Sequence, residues 1–202
     1  MYFAIKLFDV ENSGPLRDQY RQPHLDYLKQ FDDQTLFAGP FLTTDLATEL
    51  GSYRLIDFPD RKAAEEHVAA EPYLIGGAQS GAEIYDWSPS VPYNWRDCPR
   101  KEGNVQYLIE AIDKPDSAEL RDSLRAEHEA YQQSVIDIYI TRGPLLEQGS
   151  SLQIGSVMII DVPNLEAAMN FWENEPFNTG GLFEKVGFYG WRFGRVMDRF
   201  KS

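Results

Sequence analysis

The feature that most constrains this chain is that its sequence repeats. Residues 1–88 and 105–192, offset by 104 positions, are identical at 26 of 88 places without a gap. Several dipeptides recur in the same order in both halves: Gly39-Pro40 and Gly143-Pro144, Gly51-Ser52 and Gly155-Ser156, Glu71-Pro72 and Glu175-Pro176, Gly76-Gly77 and Gly180-Gly181. Similarity at one fixed offset indicates the tandem duplication of a small domain. We therefore predict a first copy over residues 1–88, a linker over 89–104 and a second copy over 105–202.

Hydrophobic periodicity gives the same order of elements in each copy. Apolar stretches bounded by turn residues predict four strands, and stretches with a helical period predict two helices. The predicted elements are 3–8, 16–31, 36–42, 53–58, 61–70 and 82–87 in the first copy, and 107–112, 117–135, 138–146, 156–162, 165–174 and 186–191 in the second. The order βαββαβ is that of a ferredoxin-like unit. Pro23 falls inside the first helix, where we expect a kink or a restart.

The strands are apolar on both faces, which bears on how the copies assemble. In a ferredoxin-like unit the helices cover one face of the sheet, so a solvated second face would give strict alternation of apolar and polar residues. Residues 156–162 are apolar on both faces, and only Lys6 interrupts the run at 3–8. Bare second faces would expose more apolar surface than a monomer usually carries. We therefore expect the sheets of the two copies to cover each other, so that one chain imitates a homodimer.

Composition excludes several classes of partner. The 202 residues include 19 Lys+Arg and 32 Asp+Glu, a formal net charge of −13, so we expect neither a nucleic-acid nor an anionic membrane partner. No apolar run reaches the roughly 20 residues of a membrane span, and the first residues do not have the pattern of a signal peptide. Cys98 is the single cysteine, so no intrachain disulfide is expected. Together these features predict a cytoplasmic protein.

Polar residues that recur in both copies are the first candidates for function. The predicted first helix of each copy carries such a set: Arg17, Asp18, Arg21, His24 and Tyr27, matched by Arg121, Asp122, Arg125, His128 and Tyr131. The predicted apolar face of that helix consists of Leu16, Tyr20, Tyr27 and Phe31. At 100° per residue, His24 lies about 80° from Leu16, on the edge of this face. We expect each histidine to be partly buried, with arginines one and two turns away.

A carboxylate recurs at the end of the second predicted helix, as Glu71 and Glu175, each before a proline. A carboxylate bonded to one imidazole nitrogen fixes the tautomer and raises the basicity of the other nitrogen, as a general base requires. His24 with Glu71, and His128 with Glu175, are therefore candidate dyads. The alternative stays open: each histidine could be a satisfied core or interface residue, and each glutamate merely a helix-end residue.

The remaining histidine and the glycines suggest structure rather than chemistry. His67 is not repeated, because Phe171 stands at the equivalent position, and we interpret it as a packing or surface residue. No two histidines have the i, i+4 spacing of a helical metal site, so we expect no structural metal, while the spacing excludes a catalytic metal only weakly. Gly76-Gly77 precedes a strand and predicts a turn. Gly39 lies early in a strand, where glycine permits close backbone approach or a bulge, and this could open room for a ligand.

Taken in order, these motifs resemble the YciI-like (YCII-related) domain family. The residues that carry the resemblance are Tyr2-Phe3-Ala4-Ile5, Arg21-Gln22-Pro23-His24-Leu25, Leu36-Phe37-Ala38-Gly39-Pro40, Gly51-Ser52, Ala63-Ala64 and Ala70-Glu71-Pro72-Tyr73, and in the second copy Arg125-Ala126-Glu127-His128, Arg142-Gly143-Pro144 and Asn174-Glu175-Pro176-Phe177. The resemblance implies an α+β fold in which tandem ferredoxin-like domains form a dimeric α/β barrel, here a pseudo-dimer within one chain. It also implies a pocket with a histidine–aspartate dyad. Glu71 and Glu175 stand where the family has aspartate, so the acid is one methylene longer in both copies.

The resemblance further implies a class of function. Some relatives are dehydrochlorinases of chlorinated hydroxyquinones, and the barrel resembles muconolactone isomerase. We therefore expect a cofactor-independent lyase or isomerase for a small aromatic-derived or lactone-like substrate. The expected catalytic residues are His24, Glu71, His128 and Glu175, and the expected substrate-binding residues are Arg17, Arg21, Tyr27, Arg121, Arg125 and Tyr131.

Two questions stay open at this point. Pro23 and Leu25 flank His24, whereas glutamates flank His128, and this less acidic setting slightly favours the first copy as the active one. The competing hypothesis is a non-catalytic small-molecule-binding or assembly module with structural histidines. Either hypothesis is compatible with a pseudo-dimer that stands alone or with one that pairs again as a homodimer.

Overall fold

A computed structural model describes residues 1–195 and 197. The strands and helices of the first copy are β1 (Tyr2–Asp9), α1 (Gly14–Lys29), β2 (Thr35–Leu42), β3 (Glu49–Asp57), α2 (Arg61–Ala69), α3 (Pro72–Ile75) and β4 (Gln79–Trp87). Those of the second copy are β5 (Val105–Asp113), α4 (Ala118–Ser134), β6 (Tyr139–Leu146), β7 (Gln153–Val162), α5 (Leu165–Glu173), α6 (Pro176–Thr179) and β8 (Phe183–Trp191). A 3₁₀ turn at Ile136–Ile138 precedes β6. In the described part of the chain, no helix combines the length and the apolar character needed to cross a membrane.

The eight strands form one closed antiparallel barrel. The strand order is β4-β1-β3-β2 in the first copy and β8-β5-β7-β6 in the second. Two short seams join the copies: Phe41 on β2 pairs with Trp191 on β8, and Leu145 on β6 pairs with Trp87 on β4. The two seams are equivalent under the 104-residue offset, so the copies are related by a pseudo-two-fold axis.

The barrel exists because the strands are apolar on both faces. The faces turned away from the helices meet inside the barrel and bury Leu55, Leu108 and both seam tryptophans. The opposite faces are covered by helices, as where Ile5 packs with Val68 in the first copy. Burying both faces removes the exposed apolar surface that a single unit would leave. The predicted α+β pseudo-dimer of ferredoxin-like units is therefore confirmed.

An ion pair crosses the barrel interior at equivalent positions of the two copies. Lys6 on β1 and Glu110 on β5 are both buried, and Lys6 Nζ lies 2.7 Å from Glu110 Oε1. Tyr53 Oη donates to Glu110 Oε2 at 2.7 Å, and Lys6 Nζ donates to Tyr189 Oη at 3.2 Å. Each charge is thus paired and hydrogen-bonded, which a buried charge requires.

The chain segments after β4 and β8 each cross to the other copy. Ser90 N, in the linker, donates to Arg142 O on β6, and Gly194 N, after β8, donates to Ala38 O on β2, both at 2.8 Å. Trp95 of the linker packs against the core inside the barrel. Each copy thereby supplies backbone that lies beside the pocket-bearing strand of its neighbour.

Gly39 and Gly143 make this crossing possible. A Cβ on Gly39 would lie 1.9 Å from the carbonyl oxygen of Arg192, and one on Gly143 would lie 2.0 Å from that of Ser88. Any side chain would therefore push the crossing segment away. Of the roles that the sequence left open for Gly39, the structure shows close backbone approach.

The buried face of α1 differs from the predicted one. The helix continues through Pro23 without the restart considered above, and its buried residues are Arg17 and His24. Leu16 and Tyr20, predicted to belong to the buried face, are only half-buried. The reason lies in the sheet below, where β3 presents polar side chains to this part of α1. His24 consequently lies at the centre of the buried face, not on its edge.

Short helices that the sequence did not predict precede the glycine pairs. Both α3 and α6 are single turns that begin at a proline. Gly77 and Gly181 follow them with φ of 75° and 72°, a left-handed conformation that favours glycine. The glycine pairs thus form turns, as expected.

Candidate active site

In the first copy the histidine and the helix-end glutamate are in contact. His24 Nδ1 on α1 lies 2.8 Å from Glu71 Oε1. Glu71 is the N-cap of α3, and its carboxylate accepts a hydrogen bond from Tyr73 N at 3.1 Å. The ring of Tyr73 stacks on the imidazole, with centroids 4.0 Å apart and planes inclined by 16°. Both members of the dyad therefore have a fixed orientation.

The second copy repeats this geometry. His128 Nδ1 on α4 lies 2.5 Å from Glu175 Oε1, and Glu175 Oε2 accepts from Asn178 N at 2.9 Å as the N-cap of α6. The His128 ring stacks on Phe177, with centroids 3.7 Å apart and planes inclined by 14°. The longer glutamate side chain therefore reaches its histidine in both copies.

Around Glu71 the first copy adds a buried arginine and a second histidine. Arg54 on β3 is 1% exposed and forms an ion pair with Glu71 Oε2. Arg54 Nη1 also donates to His67 Nε2 at 2.9 Å. Because that nitrogen accepts, the proton of neutral His67 is on Nδ1, 3.1 Å from Tyr27 Oη. A continuous hydrogen-bonded chain thus runs through Tyr27, His67, Arg54, Glu71 and His24.

Burial and the charge of Arg54 determine the protonation states in this chain. Burial alone would raise the pKa of Glu71, but Arg54 and His24 outweigh it and hold that pKa well below its usual range. Burial, together with Arg54, lowers the pKa of His67 to about 3. Burial also lowers the pKa of His24. The hydrogen bond to Glu71 offsets this effect only in part, and the charge of Arg54 lowers the pKa further. At pH 7 both histidines are therefore neutral.

The second copy has neither addition. Met158 stands at the position of Arg54, and Phe171 stands at that of His67. Tyr131 Oη donates to the Phe171 carbonyl at 2.8 Å, just as Tyr27 Oη donates to the His67 carbonyl in the first copy. Among the described residues, His128 is the one basic side chain within ion-pair distance of Glu175.

Two of the six predicted substrate-binding residues, Arg17 near the start of α1 and Arg121 near the start of α4, form ion pairs with aspartates. Arg17 Nη1 lies 2.9 Å from Asp9 Oδ2, and Arg121 Nε lies 2.6 Å from Asp113 Oδ2, all buried or nearly so. Each guanidinium also lies over the ring that stacks on the histidine, 4.8 Å from the Tyr73 centroid in the first copy and 4.6 Å from the Phe177 centroid in the second. Their charges are thus largely committed to fixing the helix against the preceding strand.

The other predicted substrate-binding residues divide into two kinds. Arg21 and Arg125 are half-buried, pair with an aspartate one turn earlier on their own helix, and each line a pocket beside their dyad. Tyr27 and Tyr131 turn instead toward α2 and α5, where their hydroxyls donate to backbone carbonyls. Of these four, only the arginines therefore face a space that a ligand could enter.

The two pockets beside the dyads differ in size. The first is lined by Arg21, His24 and Tyr73 and covered by Phe193 and Met197, and its volume of about 60 Å³ holds a few water molecules. The second has a volume of about 400 Å³, within the range of about 300–1,000 Å³ typical of small-molecule sites. Its walls include Arg125, His128, Gln132, Arg142, Val157 and Phe177.

Arg54 was not identified from the sequence, and of the two roles expected for His67 the structure shows packing, against the rings of Tyr27 and Phe31, together with hydrogen bonds that were not expected. His67 is 3% exposed and hydrogen-bonded on both ring nitrogens, so it is neither a surface residue nor simple apolar packing. The signal lay in the positions where the copies differ: Arg54 against Met158, His67 against Phe171, Glu49 against Gln153, and Ala38 against Arg142. In the part of the chain that is described, no three His, Cys, Asp or Glu side chains cluster closely enough to hold a metal ion.

Comparison with known proteins supports the duplicated architecture. A family model described as YCII-related domain matches residues 1–88 and again residues 105–192. Protein YciI of Escherichia coli O6:H1 (strain CFT073) is 34% identical over 87 residues, which are 40% of this chain and 89% of that protein. A structure of 5-chloro-2-hydroxyhydroquinone dehydrochlorinase (TftG) from Burkholderia phenoliruptrix AC1100 is 28% identical and covers 45% of this chain and 97% of its own, with a TM-score of 0.43. A mutant chlorite dismutase from Candidatus Nitrospira defluvii is 12% identical, covers 95% of this chain and 90% of its own, and has a TM-score of 0.64, which shows a shared fold.

Proposed function

The chain belongs to the YCII-related domain family in two tandem copies, and on this premise we propose that it is a cofactor-independent enzyme that transfers a proton on a small organic substrate. The reaction class is elimination or isomerisation, and the substrate is aromatic-derived or lactone-like, as the family resemblance implies. We place the reaction at His128 and Glu175, because the pocket beside them has the space for a substrate. This choice reverses the slight preference for the first copy drawn from the residues that flank His24.

One observation carries the proposal: Glu175 orients the His128 ring at the wall of a cavity of about 400 Å³. If Nδ1–H donates to the carboxylate, the lone pair of the neutral ring is on Nε2, at the opposite edge. Stacking on Phe177 holds the plane of the ring. Nε2 then acts as general base and, once protonated, as general acid, a contribution of about 10²–10⁴ in rate.

The charge beside each dyad also favours the second copy. When Nε2 takes up a proton, the ring becomes a cation that the neighbouring carboxylate must stabilise. Glu71 shares its negative charge with Arg54, whereas Glu175 has no arginine partner among the described residues. An imidazolium at His128 is therefore opposed by a carboxylate whose charge is not divided, and His24 is held in its neutral form.

Both reaction classes balance with these groups alone. In an elimination, the base removes a proton from carbon, the C–H electron pair becomes part of a new double bond, and an anion such as chloride leaves. In an isomerisation, the imidazolium returns the proton to a different carbon of the same molecule. Negative charge that develops on a substrate oxygen would lie near Arg125 on the pocket wall, where a guanidinium stabilises it.

The test is turnover with a panel of chlorinated hydroxyquinones and small unsaturated lactones in D₂O, followed by NMR for product and deuterium uptake. We expect His128→Asn to lower the rate by about 10²–10⁴, and Glu175→Gln by about tenfold or more. Lys62→Gln, at a side chain 82% exposed, is the control for a single lost charge. Circular dichroism checks that each variant is folded.

The outcomes distinguish the hypotheses. A folded His128→Asn variant with unchanged rate contradicts the proposal. A larger loss in His24→Asn than in His128→Asn would move the reaction to the first copy. If the wild type turns over no member of the panel, the non-catalytic binding module becomes the better description.

A further inference from the structure

Arg142, on the wall of the second pocket, has no acidic partner among the residues that the structure describes. Its Nη1 donates to the neutral side-chain oxygen of Gln132, and its Nε is buried without a hydrogen-bond acceptor among the described residues. No carboxylate in the described ranges lies within ion-pair distance of its guanidinium. This is unusual in a chain whose acidic residues outnumber the basic ones by 32 to 19, because a partly buried cation is normally paired.

The surroundings of Arg142 compensate its charge only weakly. Its guanidinium lies over the ring of Tyr139, 5.0 Å from the centroid, which gives a modest cation–π attraction. Glu129 on α4 is the acidic side chain on the wall of this pocket, and it is exposed to solvent. Arg125, the other cation of the wall, already pairs with Asp122 at 2.6 Å. Arg142 is therefore the cation on this wall whose charge no carboxylate of the described residues pairs with.

The first copy has different charges at the positions equivalent to Arg142 and its neighbour Gln153. Ala38 stands where the second copy has Arg142, and Glu49 stands where it has Gln153. Glu49 is engaged there by Arg17 at 2.8 Å and by Arg192. The second pocket thus gains a cation at Arg142 and loses an anion at Gln153, whereas Met158 in place of Arg54 and the exposed Glu129 in place of Leu25 change the charge in the other direction. The two pockets therefore differ in where their charges lie, and the added cation of the second lies at Arg142.

The remaining walls of the second pocket define the rest of a ligand. Met158 and Phe177 form an apolar side next to His128, and the uncharged Gln153 and Ser156 add hydrogen-bonding groups. A planar guanidinium binds a carboxylate through two parallel N–H···O bonds, a geometry that a single point charge cannot give. An apolar, flat body beside such a head group matches the mixed walls of the cavity.

We propose that the second pocket is a binding site for a small organic monocarboxylate, with its carboxylate on Arg142 and its apolar body against Met158 and Phe177. The inference assigns a substrate class to the site at which we place the reaction. It depends on the proposed function only where catalysis is concerned. Binding itself requires no proton transfer.

The experiment is calorimetric titration of the full chain with benzoate, with the neutral isostere benzamide and with inorganic phosphate. We expect one equivalent of benzoate to bind the wild type, and benzamide to bind about tenfold more weakly or worse. Arg142→Gln should weaken benzoate binding about 10- to 100-fold, because a charge-assisted bidentate contact is lost. Arg142→Lys keeps the positive charge but not the two parallel N–H donors, so its affinity for benzoate should lie between those of the wild type and Arg142→Gln. Lys62→Gln should bind benzoate as the wild type does.

A second readout locates the bound probe. The chain has three histidines, so labelled imidazole nitrogens give three resolved ring systems by NMR. Benzoate should shift the signals of His128 and leave those of His24 and His67 in place. This measurement does not depend on the stability of any variant.

Several results would overturn the assignment. These are equal affinity for benzoate and benzamide, unchanged binding in Arg142→Gln, a shift confined to His24, or no benzoate binding up to about 10 mM. Tighter binding of phosphate than of benzoate would overturn the carboxylate class. Benzoate binding without turnover of any substrate would support the carboxylate site and contradict the proposed function. Turnover that Arg142→Gln does not affect would support the proposed function and contradict the carboxylate site.

Discussion

Arg54 and Met158 occupy equivalent positions and give the two dyads different electrostatic settings. Arg54 pairs with Glu71 and adds a positive charge near His24, whereas Met158 does neither for the second dyad. Since the copies share their backbone geometry, methionine fits sterically at this place in the fold. The exchange of one side chain therefore isolates the effect of the arginine on the imidazole.

We predict that Arg54→Met raises the pKa of His24. The substitution removes a cation that lowers this pKa and leaves Glu71 with an undivided charge, although Arg17 remains and continues to act against protonation. The measurement is an NMR pH titration of the His24 ring. Lys62→Met, the same substitution at an exposed lysine, is the matched control and should not move the titration. A His24 midpoint that is unchanged or lower in Arg54→Met would show that the arginine does not set it.

Among the elements, β2 and β6 are the strands against which the crossing segments pack, and each depends on one glycine at that contact. The crossing carbonyls lie so close that a methyl group at Gly39 or Gly143 must displace backbone, not a flexible side-chain end. The crossing segments also line the pockets, with residues 192–194 at the first and Ser90 at the second. Packing between the copies and the shape of the pockets are thus determined by the same pair of strands.

Gly39→Ala and Gly143→Ala should each destabilise the chain by about 2 kcal/mol or more, because overpacking against backbone forces strand and segment apart. Gly81→Ala on β4 is the control, since a Cβ there meets nothing within 4 Å, and it should be neutral or slightly stabilising. Urea unfolding of the three variants makes the comparison. Similar midpoints for Gly39→Ala and Gly81→Ala would mean that the crossing segment yields without cost.

Much of the element level could be predicted from the sequence, and the reason is the repeat. Two independent readings of each strand and helix placed most boundaries within a few residues, and the lack of alternation in the strands indicated that the sheets cover each other. The buried face of α1 could not be predicted in this way, because hydrophobic periodicity identifies a buried helix face only where that face packs against an apolar surface. Here Arg17 and His24 are buried against polar residues, and hydrophobic periodicity carries no signal for that. Arg54 was missed for a related reason: a single polar residue in a strand does not reveal which side chains lie above it.

For the molecule as a whole, the ion pair between Lys6 and Glu110 joins the two copies through the barrel interior. Burial lowers the pKa of Lys6, but Glu110 and Tyr189 outweigh it and raise that pKa above its ordinary value. The lysine is therefore charged inside the barrel at neutral pH. Both partners come from the innermost strand positions of different copies, so this contact reports directly on how the halves fit together.

Lys6→Glu or Glu110→Lys alone would bury two like charges and should cost about 3–5 kcal/mol of unfolding free energy. The double exchange restores opposite charges and should recover most of the loss, although Tyr53 then faces a lysine. Urea unfolding of all four proteins gives the coupling energy by a double-mutant cycle. Additive losses in the double variant would show that the two side chains do not interact across the barrel.

The pairing of Lys6 with Glu110 has a consequence for how such a protein can evolve. Two identical subunits around a two-fold axis must present the same residue to each other at equivalent positions, lysine against lysine or glutamate against glutamate. Joining the halves in one polypeptide lifts that restriction at the centre of the barrel. It also allows the two pockets to differ at equivalent positions, as Arg142 and Ala38 do. A single gene can therefore encode two non-identical chambers in a fixed one-to-one ratio, and each is free to specialise without disturbing its twin.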